Sequence, residues 1–494
     1  MRFSMVFRSR LNLLLVLGSA LFSLAACTVG PDYHPPQPPL PAQWDQGAGT
    51  ADNSPAEICA RWWSLFHDPL LDDLIRRAVA ANLDLKIAET RIREARAMYR
   101  QAASGMLPSV DTGASYARIR ESRYQSSDPK TKDLFQAQFD VNWEIDLFGS
   151  VRRQVEAAEA NLAATMEDQR AVLVSLAAEV ALNYVELRTY QQRLAIAQEN
   201  SRIQEQTVDL VRNKLLLGLG NELEVAQAET LLAQTRAEMP ALESGSVQAM
   251  HQLALLLGQQ PQTLKAELTP AGATPPVPPL VPLVLPSELL RQRPDIRSAE
   301  RQLAVATANV GVATADLFPR FSLSALIGYQ STSLSHLITS SSQFWSVGPA
   351  INWPLFDGGR RRAVVEASEA QRQRAELTYE KTVLTALAET ENALVLLSRE
   401  RDTYEMLKTA VDSSLRATLI AQGLYKAGLT PFLNVLQSEN ALYQSQDKQA
   451  QSGQRLAINM IALYKALGGG WQLSPATEPT PSGTDAKPLA RNTP

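Results

Sequence analysis

The clearest pattern along the chain lies at residues 135 to 147. There Phe135, Ala137, Phe139, Val141, Trp143, Ile145 and Leu147 alternate with the polar residues Gln136, Gln138, Asp140, Asn142, Glu144 and Asp146. Strand side chains alternate between faces, so this run predicts a strand with one apolar and one polar face. A strand-like run at 110–119 precedes it, and runs at 321–329 and 345–355 form a second pair; polar loops at 122–133 and 331–336 join the members of each pair. Ahead of each pair the period is helical, over 70–104 and 287–315, and the change to period two follows Pro108 or Pro319.

Very long helices follow each strand pair. Residues 151 to 217 contain no Pro or Gly, and 361 to 427 only Gly423; at 1.5 Å per residue each stretch spans about 100 Å. Leu173, Leu176, Val180, Leu187, Tyr190 and Leu194 recur at spacings near three and four, interrupted only by Asn183, which predicts a coiled-coil seam. A return helix must cover that seam. The chain restarts at Asn221 after Gly218-Leu219-Gly220, and at Phe432 after Gly428-Leu429-Thr430-Pro431. Gly428 suits a left-handed helix end, Thr430 an N-cap and Pro431 the first helical position. Gly220 stands where the second turn has Thr430, a weaker cap. The turns read either as helical punctuation or as a binding tip.

These elements occur twice. Shifting the chain by 210 residues places Val141-Asn142-Trp143 on Ile351-Asn352-Trp353, Gly218 on Gly428, Gln227 and Glu229 on Gln437 and Glu439, and Leu257-Gly258 on Leu467-Gly468. Upstream the offset is 211: Asp84 falls on Asp295 and Pro108 on Pro319. The predicted organisation is a unit over 70–260, a Pro-rich linker over 261–286, and a second copy of the unit over 287–470. A Pro-rich N-terminal segment over 27–69 precedes them, and a disordered Pro/Thr/Ser tail over 471–494 follows.

Composition adds a location. Arg2, Arg8 and Arg10 precede the apolar run 11–17, and Leu24-Ala25-Ala26 leads into Cys27. This is a secretory signal peptide over 1–26 ending in a bacterial lipobox, so Cys27 is the expected lipidation site. The run is short for a spanning helix, which needs about 20 residues. With Cys27 acylated, Cys59 has no disulfide partner in the chain and reads as a quiet thiol. Cleavage removes three of 47 Lys+Arg, leaving 44 against 51 Asp+Glu, a net charge of −7. The chain carries no basic stripe for nucleic acid.

An apolar strand face needs a cover, and four strands followed by 100 Å helices leave little protein to supply one. A bilayer supplies it: spanning strands take about 9 to 11 residues, alternate apolar outward with polar inward, and must close without an open edge. Phe139, Val141, Trp143 and Ile145 are then lipid-facing. Four strands cannot close, since the smallest barrels have about eight, so the chain must oligomerise, two copies giving eight strands and three giving twelve. Tyr116, Phe135, Trp143, Phe148, Tyr329, Trp345, Trp353 and Phe356 cluster at these runs. They read as interfacial girdles or as ordinary strand-core aromatics. With the hairpin loops outside the cell, the helices hang in the periplasm beside a lipid held in the inner leaflet, and the same symmetry closes the helical hairpins into an α-barrel. The expected fold class is an α+β membrane protein, and the expected role a passive conduit.

The motifs "CTVGPDY" (27–33), "RWWSLFHDPLLDDLI" (61–75), "NLDL" (82–85), "NWEIDLFG" (142–149), "RPDIRSAERQL" (293–303), "NWPLFDGGRRR" (352–362) and "LYKALGGGWQ" (463–472) resemble the TolC-like outer-membrane factors. Within that family they resemble the OprM/NodT lipoprotein branch, over nearly the whole mature chain. The resemblance implies a homotrimer with a twelve-stranded transmembrane β-barrel and a periplasmic tunnel in the Gram-negative outer membrane. It implies two partners, a periplasmic adaptor and an inner-membrane RND pump. It also implies that Gly218, Leu219, Gly220, Tyr425, Gly428, Leu429 and Thr430 form the tip where the adaptor docks. Many relatives narrow this tip with acidic rings; here the second copy has no acid between Asp412 and Glu439, so a ring would draw on Asp209, Glu222 or Glu224. Thr28 in place of an aspartate after the lipidated cysteine fits outer-membrane sorting.

Catalytic chemistry is not in view. His34, His67, His251 and His336 show no metal-ligand spacing, and neither a phosphate-binding glycine loop nor a nucleophile elbow is present. The expected protein is not an enzyme and carries no cofactor and no metal. The competing functions are a type I protein-secretion channel and a lipid-anchored periplasmic coiled-coil scaffold without a pore.

Overall fold

The computed structural model describes residues 28–41, 44–45, 60–120, 122, 124, 130–272, 274–277 and 292–473. The signal peptide, Cys27, Cys59, half of the 122–133 loop, much of the linker, the start of the predicted 287–315 helix and the tail after 473 lie outside the described residues.

The predicted helix over 70–104 is two helices, α1 (Pro69–Ala81) and α2 (Leu83–Ser104). Asn82 breaks it. Its backbone is extended, its side-chain oxygen accepts from the N–H groups of Asp84 and Leu85, and its amide donates to the Leu256 carbonyl. An Asn that caps a new helix competes with continuation of the old one, which hydrophobic periodicity alone does not register.

Then come β1 (Ser109–Arg120), β2 (Thr131–Ile145), α3 (Ser150–Leu216), α4 (Glu222–Leu256) and the short α5 (Lys265–Leu268). The second half runs α6 (Pro294–Ala315), β3 (Arg320–Ser331), β4 (Gln343–Asn352), α7 (Arg360–Lys426) and α8 (Phe432–Ala466). α3 and α7 each have 67 residues, and α4 and α8 each have 35. β4 ends at Asn352, three residues before the predicted limit of 355. The predicted 331–336 loop contains a 3-10 turn over Leu334–His336, and a second follows at Ser340–Ser342.

The strands form one antiparallel sheet in the order β1-β2-β3-β4, so among the described residues β1 and β4 each have one unpaired edge. Below it, α2, α3, α6 and α7 lie side by side in that order, with α4 packed on α3 and α8 on α7 and α3. The main core gathers Trp62, Trp63, Phe66, Leu71, Leu187, Leu253 and Tyr464. The Trp62 and Tyr464 rings stack at 5.7 Å. Tyr184 donates to Asp68 at 2.5 Å, and burial, with that bond, pushes its phenol up to about 12. Of the predicted seam, Leu173, Leu176, Val180 and Leu187 are buried in this core, while Tyr190 and Leu194 pack against a smaller cluster of Ala197, Leu242 and Tyr443. Gly245 makes room there: a Cβ on it would lie 2.6 Å from the Tyr190 ring.

Candidate functional site

Three places on this frame carry functional geometry: the sheet faces, the junction below the sheet, and the far end of the long helices. Register places Val110, Val141, Ala325 and Val347 in one row across all four strands, and the neighbouring row is Ser109, Asn142, Ser324 and Gly348. The first row is wholly apolar. In the second, Ser324 donates to Asn142 Oδ1 at 3.1 Å. Phe139 and Trp143 lie on the apolar face with 55% and 37% of their surface exposed, and Val141 and Ile145 share it half-buried. On the polar face Gln138 donates to both oxygens of Asp140 at 2.9 Å.

Four of the aromatics sit in two tiers, whereas Trp345 lies between them, in the row of Phe139 and Ile327. Tyr116 and Phe135 pair across strands near the loop end, with ring centroids 5.0 Å apart. Near the helix end Trp143 donates to the Met106 carbonyl at 3.0 Å, and Trp353 donates to Leu317 in the same way at 3.1 Å. Eight residues separate Phe135 from Trp143, about 26 Å along a strand and about 20 Å once inclined by ~40°, against an apolar band of ~25 Å in membrane barrels. Phe148 differs from the girdle expectation. It is half-buried, stacked on Phe318 at 4.6 Å and beside Phe321 at 6.4 Å, and so packs the junction.

At that junction the chain just after Cys27 is docked. Val29 N–H donates to the Phe148 carbonyl at 3.2 Å. Gly30 has φ +90, and a Cβ on it would lie 2.5 Å from the Gly311 Cα, so only glycine allows this approach. Arg153, with its side chain 5% exposed, donates to Asp32 at 2.6 Å and to Glu156 at 2.7 Å. The hydrogen bond and charge of Arg153 hold the Asp32 carboxyl below its ordinary value. Tyr33 reaches Glu300 on α6 at 3.1 Å. Nothing in the sequence pattern singles out Arg153, because its link to Asp32 spans 121 residues.

At the far end both turns close alike. Gly218 (φ +72) and Gly428 (φ +75) are left-handed, and Leu219 and Leu429 return their N–H groups to Lys214 and Leu424 at 2.8 and 2.9 Å. This paired arrangement satisfies the last carbonyls of each long helix and leaves both leucines 74% exposed. The predicted caps are corrected. Asn221, not Gly220, caps α4 by accepting from Glu224 N–H at 3.0 Å, and α8 has no side-chain cap, since Thr430 accepts from the Asn434 side chain instead. Tyr425 joins the two turns. Lys214 donates to its carbonyl at 3.0 Å and lies 3.7 Å from its ring centre, while the Tyr425 hydroxyl donates to Glu224 at 2.9 Å. Burial, then that bond, raises the Tyr425 phenol. An apolar plug of Val208, Val211, Ala228, Leu232, Ala421, Tyr425, Phe432 and Val435 fills the space between the four helices. Asp209 and Glu222 are exposed, whereas Glu224 is engaged by Tyr425.

The profile of the family described as "Outer membrane efflux protein" matches the chain twice, over residues 74–259 and 285–469. The chain belongs to the outer membrane efflux protein family. Among its relatives is the solvent efflux pump outer membrane protein SrpC of Pseudomonas putida, 34% identical over 466 residues, 92% of this chain and 98% of that one. Nodulation protein T of Rhizobium leguminosarum bv. trifolii is 32% identical over 448 residues, 91% of this chain and 95% of that one. The solved outer-membrane channel OprN superposes with a TM-score of 0.86 at 38% identity, covering 90% of this chain and all of that one. This efflux protein therefore falls in the OprM/NodT branch, as its motifs implied. Its place is the Gram-negative outer membrane, with the helical body in the periplasm. Its relatives are channel proteins rather than enzymes. Among the described residues no three His, Cys, Asp or Glu side chains are grouped to hold a metal ion, and no helix is long and apolar enough to cross a bilayer.

Proposed function

We propose that three copies of the chain close into one duct that exports small toxic compounds passively, as the outer-membrane part of a tripartite RND efflux system. The carrying observation is a pair of complementary open edges. β1 and β4 lack a neighbour on opposite sides of the sheet, and α2 and α7 bound the helical layer on the same two sides. Both bounding helices expose apolar side chains, Ile87 and Met98 on α2, Leu377 and Leu384 on α7. A head-to-tail contact joining β1 to β4 and α2 to α7 closes a ring, and three chains supply twelve strands. The polar sheet face then lines the lumen, and Phe139, Val141, Trp143 and Ile145 meet acyl chains. The two matched stretches of the chain read as two copies of one unit joined by the Pro-rich linker.

The docked N-terminal segment supports lipidation at Cys27. Thr28 lies against Gly149, directly below β2, so an acyl group on the preceding residue enters the leaflet that the barrel base occupies. The exposed Leu219 and Leu429 beside the two glycine turns suit docking of a helical adaptor at the tip. A poreless scaffold leaves the apolar rows without a cover, which disfavours it. Purified protein in a planar bilayer tests the reading: ion current across the membrane is expected, together with drug and solvent sensitivity in a deletion strain. Absence of both overturns it.

A further inference from the structure

Positions 210 residues apart allow a comparison within one molecule. In the first hairpin Arg212 donates to Glu229 at 2.6 Å, and both side chains are about half exposed. The equivalent positions of the second hairpin hold Gln422 and Glu439, and Gln422 donates to Glu439 Oε1 at 2.9 Å. The carboxyl has kept its place, its cation is gone, and Glu439 is 3% exposed. Its other donor is Thr207 of α3 at 2.7 Å, so this one carboxyl ties the second hairpin to the first. A turn earlier on α3, Gln204 is 2% exposed with both amide atoms unpartnered. A buried polar layer with missing partners costs free energy, so the seam it occupies is a weak one. It lies seven residues from the start of α8, about 10 Å above the tip turn.

We propose that Glu439 is a pH-sensitive latch between the two helical hairpins, holding the lower tunnel closed in acid and releasing it as the pH rises. Burial raises its carboxyl above the ordinary value, and both its donors are neutral. The packed seam therefore keeps a proton that separated, hydrated hairpins release. Stability of the closed seam falls as pH climbs from the ordinary carboxylate value through the raised one, and is level beyond it.

Charged groups on the surrounding helices are engaged elsewhere or solvated. Glu205 binds Arg236, Glu229 binds Arg212, and Glu224 and Glu238 accept from the phenols of Tyr425 and Tyr443. Lys214 lies on the Tyr425 ring, and Asp209 and Lys426 are exposed. Both phenols are shifted upward, and Glu439 is the buried carboxyl of this layer whose donors are both neutral.

The latch rests on the duct reading, and two readouts on the full-length assembly separate them. Hydrogen exchange over residues 204–211, corrected for intrinsic rates between pH 5 and 8, reports the seam; bilayer current reports the duct. Wild-type protection is expected to fall with pH, by no more than about tenfold per pH unit per protomer, while current rises. Glu439→Gln keeps the shape and removes the titration, so its protection should stay high and flat. Gln422→Arg installs the cation found at position 212 and should move the transition to lower pH. Flat wild-type protection, or an unchanged response in Glu439→Gln, overturns the latch. A pH-dependent seam without current in any variant overturns the duct, and with it the gating role, while leaving Glu439 as the group that titrates the seam.

Discussion

Arg153 shows how much a single side chain organises here. Buried at the top of α3, it binds Asp32 and Glu156 and so fixes the segment that follows Cys27. Arg153→Met should release residues 28–33, cost about 1–2 kcal/mol, and expose the segment to protease; unchanged cleavage contradicts the assignment. Because Asp32 is held below its ordinary value, its share of the docking is present above that value and lost as pH falls through the lowered one, so the segment stays docked at neutral pH. At the tip, Tyr425→Phe removes one hydrogen bond to Glu224 and should loosen contact between the turns by about 1 kcal/mol, read as faster exchange near residue 214. On β2, Val141→Arg should cost about 2–4 kcal/mol of folding free energy in lipid vesicles, and Asn142→Arg much less. Equal costs would contradict the assignment of faces.

At the scale of elements, what was legible followed from local signals. The alternation over 135–147, the Pro-free and Gly-free stretch over 151–217 and the glycine turns placed the strands and long helices within a few residues of where they lie. Gly428→Ala tests one of these directly: a left-handed residue with a Cβ should cost about 1–2 kcal/mol and lower the thermal transition. Side-chain caps and contacts between distant segments were not legible. Asn82 fits the helical period in sequence, yet its side-chain oxygen caps α2. Thr430 looked like a cap but bonds a side chain four residues on. Glu439 looked like any carboxylate on a charged helix, and only packing against Thr207 and Gln422 makes it a buried one. The hint was present in sequence as the loss of an arginine between positions 212 and 422.

For the whole molecule, one chain provides a sheet with two open edges, an apolar outer face and a helical layer with exposed apolar flanks. None of these is stable alone in water or lipid, because unpaired strand edges and uncovered apolar rows both carry large costs. Closure by identical copies answers all of them at once. Native mass spectrometry of protein extracted from outer membranes, with β1 of one copy cross-linked to β4 of the next, measures that closure most directly. Three chains per particle, joined edge to edge through the strands, is the expected result. A stable single chain, or a closed pair with eight strands, would contradict it.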